Sequence, residues 1–208
     1  MKFLLIGNSH IFYNDMGAML AALTGAEVTL QTTGGADLLF HREQTDVRFN
    51  ILYGGYDGIV LQNRQQPVPA MEEHLLGLEG LMEWIRQTDS IPLGYETWSI
   101  PGKPDTLPAQ KSLWEEAKRV YGMDYAPVGE AFRRAEGSGI DLYGPDRRHA
   151  SPAGSYLIAL CLARGLTGRP VTDLPGKLSC RGHSLIALTA KEASPLRVAC
   201  EEAYENKG

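Results

Sequence analysis

The 208-residue sequence has few cysteines, and they follow no pattern typical of a metal site or a disulfide framework. Its three cysteines are Cys161, Cys180 and Cys200, and no two of them are separated by only two residues. Disulfide scaffolds and zinc centres normally show an even number of cysteines or short, regular spacings. The sequence therefore supports neither class of protein.

Long apolar runs and clustered positive charge are also missing. No apolar stretch approaches the ~20 residues that cross a bilayer. The apolar run at residues 3–6 ends at Gly7, which is too short for the core of a signal peptide. The formal net charge is −5, without a stripe of Lys and Arg, so nucleic acid is not an expected partner. We expect a cytoplasmic protein, although a chain trimmed of a signal peptide would look the same. The sequence predicts no oligomeric state.

Several common catalytic and cofactor-binding motifs are absent from the sequence. There is no GxSxG nucleophile elbow, no GxGxxG dinucleotide loop, no GxxxxGK phosphate loop and no HExxH zinc motif. The usual α/β-hydrolase, dinucleotide-binding and zinc-protease interpretations therefore lose support.

Predicted strands and helices alternate along most of the chain. Apolar and β-branched runs predict strands at residues 2–6, 27–31, 57–63, 91–98 and 123–126. Helical spacing predicts helices at residues 14–25, 38–53, 71–87, 110–121, 128–135 and 151–166. This order is typical of one domain with a parallel sheet and helices on both faces. From residue 181 to the end we expect another helix, broken near Ser194-Pro195.

Ser9 is the first candidate for chemistry, because it follows an apolar strand and Gly7. A serine there lies at the carboxyl edge of the sheet, where open α/β folds bind ligands, and a glycine lets the backbone turn sharply. The alternative is a loop serine that caps the next helix. His10 adjoins Ser9, and neighbouring side chains rarely share a proton, so we assign His10 to the pocket or the surface.

Asp146 and His149 form the second candidate, three residues apart in a polar loop before a predicted helix. At this spacing the carboxylate can hydrogen-bond one imidazole nitrogen, which fixes the tautomer and leaves the other nitrogen free as a base. The alternative is a surface Asp–His pair near a helix cap.

Two further loops carry groups that could donate to an oxyanion. Gly34 and Gly35 follow the second strand, where an exposed backbone N–H can approach a ligand closely. Gln62 and Asn63 end the third strand and carry side-chain amides. Each pair could equally be an ordinary turn or strand cap. In a parallel sheet, however, these positions converge with Ser9 on one edge, as a serine acyl-transfer site requires.

These motifs together resemble the SGNH hydrolase (GDSL esterase/lipase) superfamily. The resemblance rests on Gly7-Asn8-Ser9 near the start of the chain and on Asp146-x-x-His149 near its end. It implies a flavodoxin-like three-layer α/β/α sandwich with a five-stranded parallel sheet. It also implies that Ser9 is the nucleophile, that His149 is the base and that Asp146 orients the base. No metal or cofactor is implied.

The resemblance covers about residues 2–168, and residues 169–208 would form a helical extension of the same domain. The implied oxyanion donors are the Ser9 N–H, a glycine of the second loop (Gly35, or Gly34) and a strand-end amide. We favour Gln62 over Asn63 as that amide, because Gln62 ends the apolar strand directly.

Two positions depart from the usual family pattern. Asn8 stands where the family normally has Asp, and Leu61-Gln62-Asn63-Arg64 stands where it normally has Gly-x-Asn-Asp. A variant branch with GNS and a strand-end Gln would fit both departures. Alternatively, the departures indicate a non-catalytic member that binds a carbohydrate or a small acid.

Two residues beyond these motifs are candidates for contact with the substrate, in addition to His10. Trp98 follows the fourth strand on the same sheet edge and could form the floor of a pocket, although core packing is an alternative. Arg64 follows the third strand and could meet an anionic or polyhydroxy group, although it could equally be solvated.

The predicted function is a serine hydrolase that cleaves a small carboxylic ester, such as an O-acetyl group on a carbohydrate. The reason is that the sequence shows no long apolar lid segment. A lipase or thioesterase of the same fold is the alternative within the enzyme class. A domain that binds phosphate or flavin would need a Ser/Thr/Gly-rich loop at residues 7–10, which is missing.

Overall fold

The computed structural model describes residues 1–205 and 207. At its centre is a five-stranded sheet in the order β2-β1-β3-β4-β5, in which every neighbouring pair is parallel. The strands are β1 (Lys2–Gly7), β2 (Glu27–Thr32), β3 (Gly58–Gln62), β4 (Ile91–Tyr95) and β5 (Asp124–Ala126).

Helices cover both faces of this sheet, and a short antiparallel hairpin precedes the last helix. The hairpin strands are β6 (Lys177–Cys180) and β7 (His183–Ala187). The helices are α1 (Ser9–Phe12), α2 (Met16–Thr24), α3 (Leu38–Arg42), α4 (Thr45–Tyr53), α5 (Met71–Ile85), α6 (Thr106–Tyr121), α7 (Val128–Ala135), α8 (Pro152–Thr167) and α9 (Ala190–Glu205).

Side chains of β1, an interior strand of the sheet, alternate between two apolar cores. Phe3 and Leu5 pack into the core formed with α2, α7, α8 and α9, whereas Leu4 and Ile6 pack into the core formed with α3 to α6. All four are at most 1% exposed, because successive residues of a strand point to opposite faces. The predicted three-layer α/β/α sandwich with a five-stranded parallel sheet is confirmed.

The predicted helix at residues 38–53 is two helices. Asp37 caps α3 by accepting a hydrogen bond from the Phe40 N–H at 2.9 Å, and α3 ends at Arg42. Gln44 then has extended backbone angles, and α4 starts at Thr45. A further short helix, α1, was not predicted: it starts at Ser9 directly after β1.

The predicted helix from residue 181 onward is wrong at its start. Residues 183–187 form β7, which pairs with β6 through the two-residue turn Arg181-Gly182. Both turn residues have positive φ, +49° and +82°, as a two-residue hairpin turn requires. Helix α9 begins only at Ala190 and runs through Pro195, so the predicted break there is also wrong.

Among residues 1–205 and 207, no helix is both long and apolar enough to span a bilayer.

Glu96, directly after β4, is a carboxyl group buried inside the fold, with 1% of its surface exposed. Its Oε2 accepts a hydrogen bond from the Glu130 N–H near the start of α7 at 3.2 Å. Its Oε1 has no partner among the described residues. Burial raises the pKa of Glu96 from 4.5 to about 7, because the charged form loses its hydration.

The stability of the protein should therefore depend on the ionisation of Glu96. Because the folded-state pKa is raised, the folded chain binds more protons than the unfolded chain, and stability falls as pH rises from 4.5 to about 7. We expect Glu96→Gln to raise the free energy of unfolding by up to ~3 kcal/mol at pH 8 and to change it little at pH 4. Urea denaturation at the two pH values measures this difference.

The matched control is Glu83→Gln on the exposed face of α5. It should have a similar, small effect on the free energy of unfolding at both pH values. An equal effect of Glu96→Gln at pH 4 and pH 8 would contradict the role assigned to Glu96.

Candidate active site

Ser9 lies where β1 turns into α1 at the carboxyl edge of the sheet. Position 7 needs a glycine because a Cβ there would lie 2.8 Å from Ile11 Cδ1 and would also clash with the Gln62 amide. Asn8 is the N-cap of α1, and its Oδ1 accepts a hydrogen bond from the His10 N–H at 3.2 Å. These contacts leave the Ser9 side chain half-buried at the surface of the edge.

Ser9, His149 and Asp146 form a continuous hydrogen-bonded chain. Ser9 Oγ lies 2.8 Å from His149 Nε2, across 140 residues of sequence. His149 Nδ1 lies 2.5 Å from Asp146 Oδ2. Because the carboxylate accepts at Nδ1, Nδ1 carries the proton of the neutral imidazole and Nε2 is free to accept from the serine hydroxyl.

The loop before α8 holds the carboxylate and the imidazole in register. Asp146 Oδ1 accepts hydrogen bonds from the backbone N–H groups of Arg148 at 3.0 Å and His149 at 2.9 Å. The Gly144 N–H donates to the His149 carbonyl at 2.7 Å, which closes the loop. The hydrogen bond from His149 and those from the backbone hold the pKa of Asp146 well below its usual range, so the carboxylate stays ionised.

Trp98 supports this loop from inside the protein. It is completely buried, its ring stacks on Phe132 at 4.4 Å, and its Nε1 donates to the Arg148 carbonyl at 3.2 Å. The proposed contact between Trp98 and a substrate is therefore not open in this structure. Its position fits the core-packing alternative, with an added hydrogen bond to the loop that carries His149.

His10 is also buried, with 4% of its surface exposed. Its ring lies edge-on to Trp98 at 4.9 Å and 5.1 Å from the ring of His149. Burial, and then the nearby charge of His149, lower the pKa of His10 to about 3, so this imidazole is neutral at physiological pH. His10 therefore lies beneath the site and is not at its open surface.

Tyr13 is a site residue that the sequence analysis missed. Its ring stacks on His149 with the ring centroids 3.9 Å apart and the planes within 4° of parallel. It directly follows α1, and its backbone is extended, with φ of −60° and ψ of 140°, so helical spacing from Ser9 does not indicate it.

The loop after β2 lies against the start of α1. The Thr33 N–H donates to the Gly7 carbonyl at 3.1 Å, and Asn8 Nδ2 donates to the Ala36 carbonyl at 2.8 Å. Gly35 is exposed in the turn between them and has a φ of +73°. Within the part of the chain that the structure describes, the backbone N–H groups of Ser9 and Gly35 donate to no protein atom.

The amides of Gln62 and Asn63 are both used inside the fold. Gln62 is completely buried, accepts from the Asn8 N–H at 2.8 Å and donates to the Asn63 carbonyl. Asn63 donates to His74 Nδ1 at 2.8 Å and accepts from the Arg64 N–H at 2.8 Å. Burial lowers the pKa of His74 to about 4, in keeping with a neutral, accepting imidazole. These hydrogen bonds hold the loops around Ser9 in place.

Arg64 connects the loop after β3 to the loop after β2. Its guanidinium forms an ion pair with Asp37 at 2.9 Å, and its Nε donates to the Pro67 carbonyl at 2.9 Å. Its side chain is 27% exposed. Arg64 is thus neither freely solvated nor free to bind an anion without giving up the pair with Asp37.

Two cavities adjoin the loop before α8 that carries Asp146 and His149. The first, of about 520 Å³, is lined by charged and aromatic groups that include His149, Asp146, Asp141 and Tyr13. The second, of about 740 Å³, is a largely apolar groove between the loop at residues 99–108 and α7. Tyr143 and Arg147 line both of them, which places the two side by side.

In residues 1–205 and 207, no group of three or more His, Cys, Asp or Glu side chains is arranged to hold a metal ion.

Comparison with known proteins gives matches only among solved structures. No protein-family model and no curated protein matches the chain. A protein from Slackia heliotrinireducens, described as a candidate SGNH hydrolase, is 28% identical over 80% of this chain and 98% of its own, with a TM-score of 0.71. The predicted resemblance to the SGNH hydrolase superfamily is confirmed.

Two further structures share the SGNH fold with this chain. A DUF4886 family protein from Bacteroides uniformis is 18% identical, covers 99% of this chain and 95% of its own, and gives a TM-score of 0.77. A candidate lipolytic protein of the G-D-S-L family from Desulfitobacterium hafniense is 15% identical over 78% of this chain and 98% of its own, with a TM-score of 0.64. At these identities the likeness concerns the fold alone.

The structure also explains why this chain carries Asn at position 8 where the superfamily pattern has Asp. The Asn8 amide donates to the Ala36 carbonyl and accepts from the His10 N–H. A carboxylate can only accept, so an aspartate at this position would place two acceptors against each other in a site that is 2% exposed.

We therefore expect Asn8→Asp to destabilise the protein and to loosen the loop that carries Gly35. The free energy of unfolding should fall by ~1–3 kcal/mol, because the buried Ala36 carbonyl loses its donor. Urea denaturation measures this loss, and labelling of Ser9 by a fluorophosphonate should slow. The matched control, Asn50→Asp, removes a donor from α4 to Gln31 and leaves the hydrogen bonds of Asn8 intact, so labelling should be unchanged. Wild-type stability in Asn8→Asp would overturn the explanation.

Proposed function

We propose that this protein is a serine hydrolase that cleaves a carboxylic ester through an acyl-enzyme intermediate. The observation that carries the proposal is the hydrogen-bonded chain from Ser9 Oγ through His149 to Asp146, with distances of 2.8 and 2.5 Å. A serine hydroxyl is a weak nucleophile until a neighbouring base takes its proton, and this arrangement provides such a base.

In the first step, Ser9 Oγ attacks the ester carbonyl while His149 Nε2 takes the hydroxyl proton. The ionised Asp146 stabilises the imidazolium that forms. The tetrahedral intermediate collapses, the C–O bond to the alcohol breaks, and the alcohol leaves with the proton from His149. Water, deprotonated by His149, then attacks the acyl-enzyme and releases the acid and free Ser9.

The oxyanion of the tetrahedral intermediate would be bound by the free N–H groups of Ser9 and Gly35. Neither N–H group donates to an acceptor in the described chain, and Asn8 holds the two loops together. We retain a side-chain amide of Gln62 or Asn63 as the predicted third donor. It would have to use its second N–H, since each amide already donates to a neighbour. Loss of one such donor typically costs ~10²–10³ in rate.

We further propose a small polar ester as the substrate, such as an O-acetyl group on a carbohydrate. The cavity of about 520 Å³ beside His149 supports this choice. Its walls combine carboxylates and a guanidinium, which can hydrogen-bond hydroxyl groups, with the rings of Tyr13 and Tyr143.

The apolar groove of about 740 Å³ favours a second candidate, an ester or thioester with a longer acyl chain. Ile100, Leu107 and Phe132 line it, and it adjoins the polar cavity at Tyr143. A lipase or thioesterase would bind its acyl chain in such a groove.

The catalytic serine can be tested without knowledge of the substrate. We expect a fluorophosphonate to add once to the folded wild-type protein, at Ser9, because only an activated serine reacts quickly with it. Intact-mass analysis and peptide mapping measure the adduct. Ser9→Ala should give none, and His149→Ala should slow labelling at least ~10³-fold.

A control variant, Ser112→Ala, removes an exposed serine of α6 and should leave labelling unchanged. No adduct on the folded wild-type protein, or an adduct mapped elsewhere, would count against the proposed mechanism. Screens for carbohydrate or small-acid binding would then test the non-catalytic alternative.

The two substrate classes can be separated by acyl-chain length. With p-nitrophenyl esters from acetyl to dodecanoyl, we expect kcat/KM to be highest for acetyl, because the polar cavity lies directly beside His149. A maximum at eight carbons or more would instead support the lipase or thioesterase. In that case Ile100→Ala, which enlarges the groove, should flatten the profile.

A further inference from the structure

We propose that Tyr13 is a positioning residue of this site, which stabilises the protonated form of His149 during the reaction. The inference goes beyond the proposed function, on which it rests for its catalytic meaning. It is carried by the stacking of the two rings, with centroids 3.9 Å apart and planes within 4° of parallel. An imidazolium in this position faces the electron-rich surface of the phenol ring.

The backbone around Tyr13 is held in an unusual conformation that keeps the ring in place. Tyr13 is the C-cap of α1, and its N–H donates to the Ser9 carbonyl. The next two residues, Asn14 and Asp15, both have a φ of +53°, in the left-handed region that non-glycine residues rarely adopt. Such strain persists only where surrounding contacts enforce it, and it is often associated with function.

Asn14 supplies those contacts. Its Nδ2 donates to the Ala150 carbonyl and to Ser155 Oγ, both at 2.9 Å. Ala150 directly follows His149, and Ser155 lies in the first turns of α8. The segment that carries Tyr13 is therefore tied directly to the loop that carries His149, so the two rings move together.

The other groups near His149 leave a specific role for the stack. Asp146 is ionised and binds Nδ1 at 2.5 Å, while His10 is neutral because its pKa is about 3. Two nearby arginines contribute positive charge: Arg147 is paired with Asp141 at 2.6 Å, and Arg148 lies close enough to help lower the pKa of His10. Tyr13 covers an imidazole face while adding no charge of its own at neutral pH.

Two physical effects of Tyr13 have opposite signs, which makes the proposal testable. If the ring only shielded His149 from water, it would disfavour the imidazolium, and removing it would move the ionisation of His149 to higher pH. If the ring stabilises the imidazolium, removing it moves the ionisation to lower pH. The interaction is expected to be worth about half a pH unit at a partly exposed site.

The experiment compares wild type with Tyr13→Phe and Tyr13→Leu. The rate constant for fluorophosphonate labelling is measured between pH 4 and pH 9. We expect the acid limb of the Tyr13→Leu profile to move down by about half a pH unit, with a ~2–5-fold lower rate at the plateau. Tyr13→Phe keeps the ring and should follow wild type. The 40% exposure of Tyr13 makes both variants mild changes to the fold, and circular dichroism checks this.

A second readout does not depend on reactivity. The imidazole signals are followed by NMR against pH in the resting protein, with His183→Gln used to assign the exposed His183. Burial lowers the pKa of His10, His41 and His74, and the His149 signal is assigned by its loss in His149→Ala. A lower titration midpoint of His149 in Tyr13→Leu supports the proposal.

An unchanged or raised midpoint in Tyr13→Leu would overturn the role of Tyr13. If the wild type is not labelled at all, the proposed hydrolase mechanism fails. The NMR comparison then still decides, on its own, whether the stack stabilises the imidazolium.

Discussion

The hydrogen bonds around Asn8 are the constraint on which the site depends. This residue follows β1, and its backbone N–H donates to Gln62 at the end of β3. Its side chain donates to Ala36 in the loop after β2 and accepts from the N–H of His10 in α1. One buried residue thus links the ends of three neighbouring strands. The position of Ser9, one residue later, follows from these links.

A second set of contacts brings the distant end of the chain to Ser9. The loop before α8 is closed on itself by hydrogen bonds to Asp146 and rests on the buried Trp98. Asn14 ties the same loop back to the segment after α1. These contacts fix His149 between Asp146 and Ser9.

Several polar residues near the site prove to be structural supports. Gln62 and Asn63 hold the strand end, and Arg64 pairs with Asp37 across two loops. His10 is buried and neutral beneath the imidazole of His149. The buried amides of Gln62 and Asn63 are satisfied by their neighbours, since an unpaired buried group would cost free energy.

The sequence alone determined the parallel sheet and the strands that build it, because strand and helix periodicities are local properties. The family resemblance came from the motifs at residues 7–9 and 146–149. The sequence also indicated Ser9, Asp146 and His149, since each follows a recognisable strand or precedes a helix cap. Only the tertiary structure brought Ser9 within 2.8 Å of His149, buried Trp98 and stacked Tyr13 on the imidazole. The hairpin at residues 177–187 was likewise missed, because its short strands are stabilised by pairing and packing and carry little periodic signal of their own.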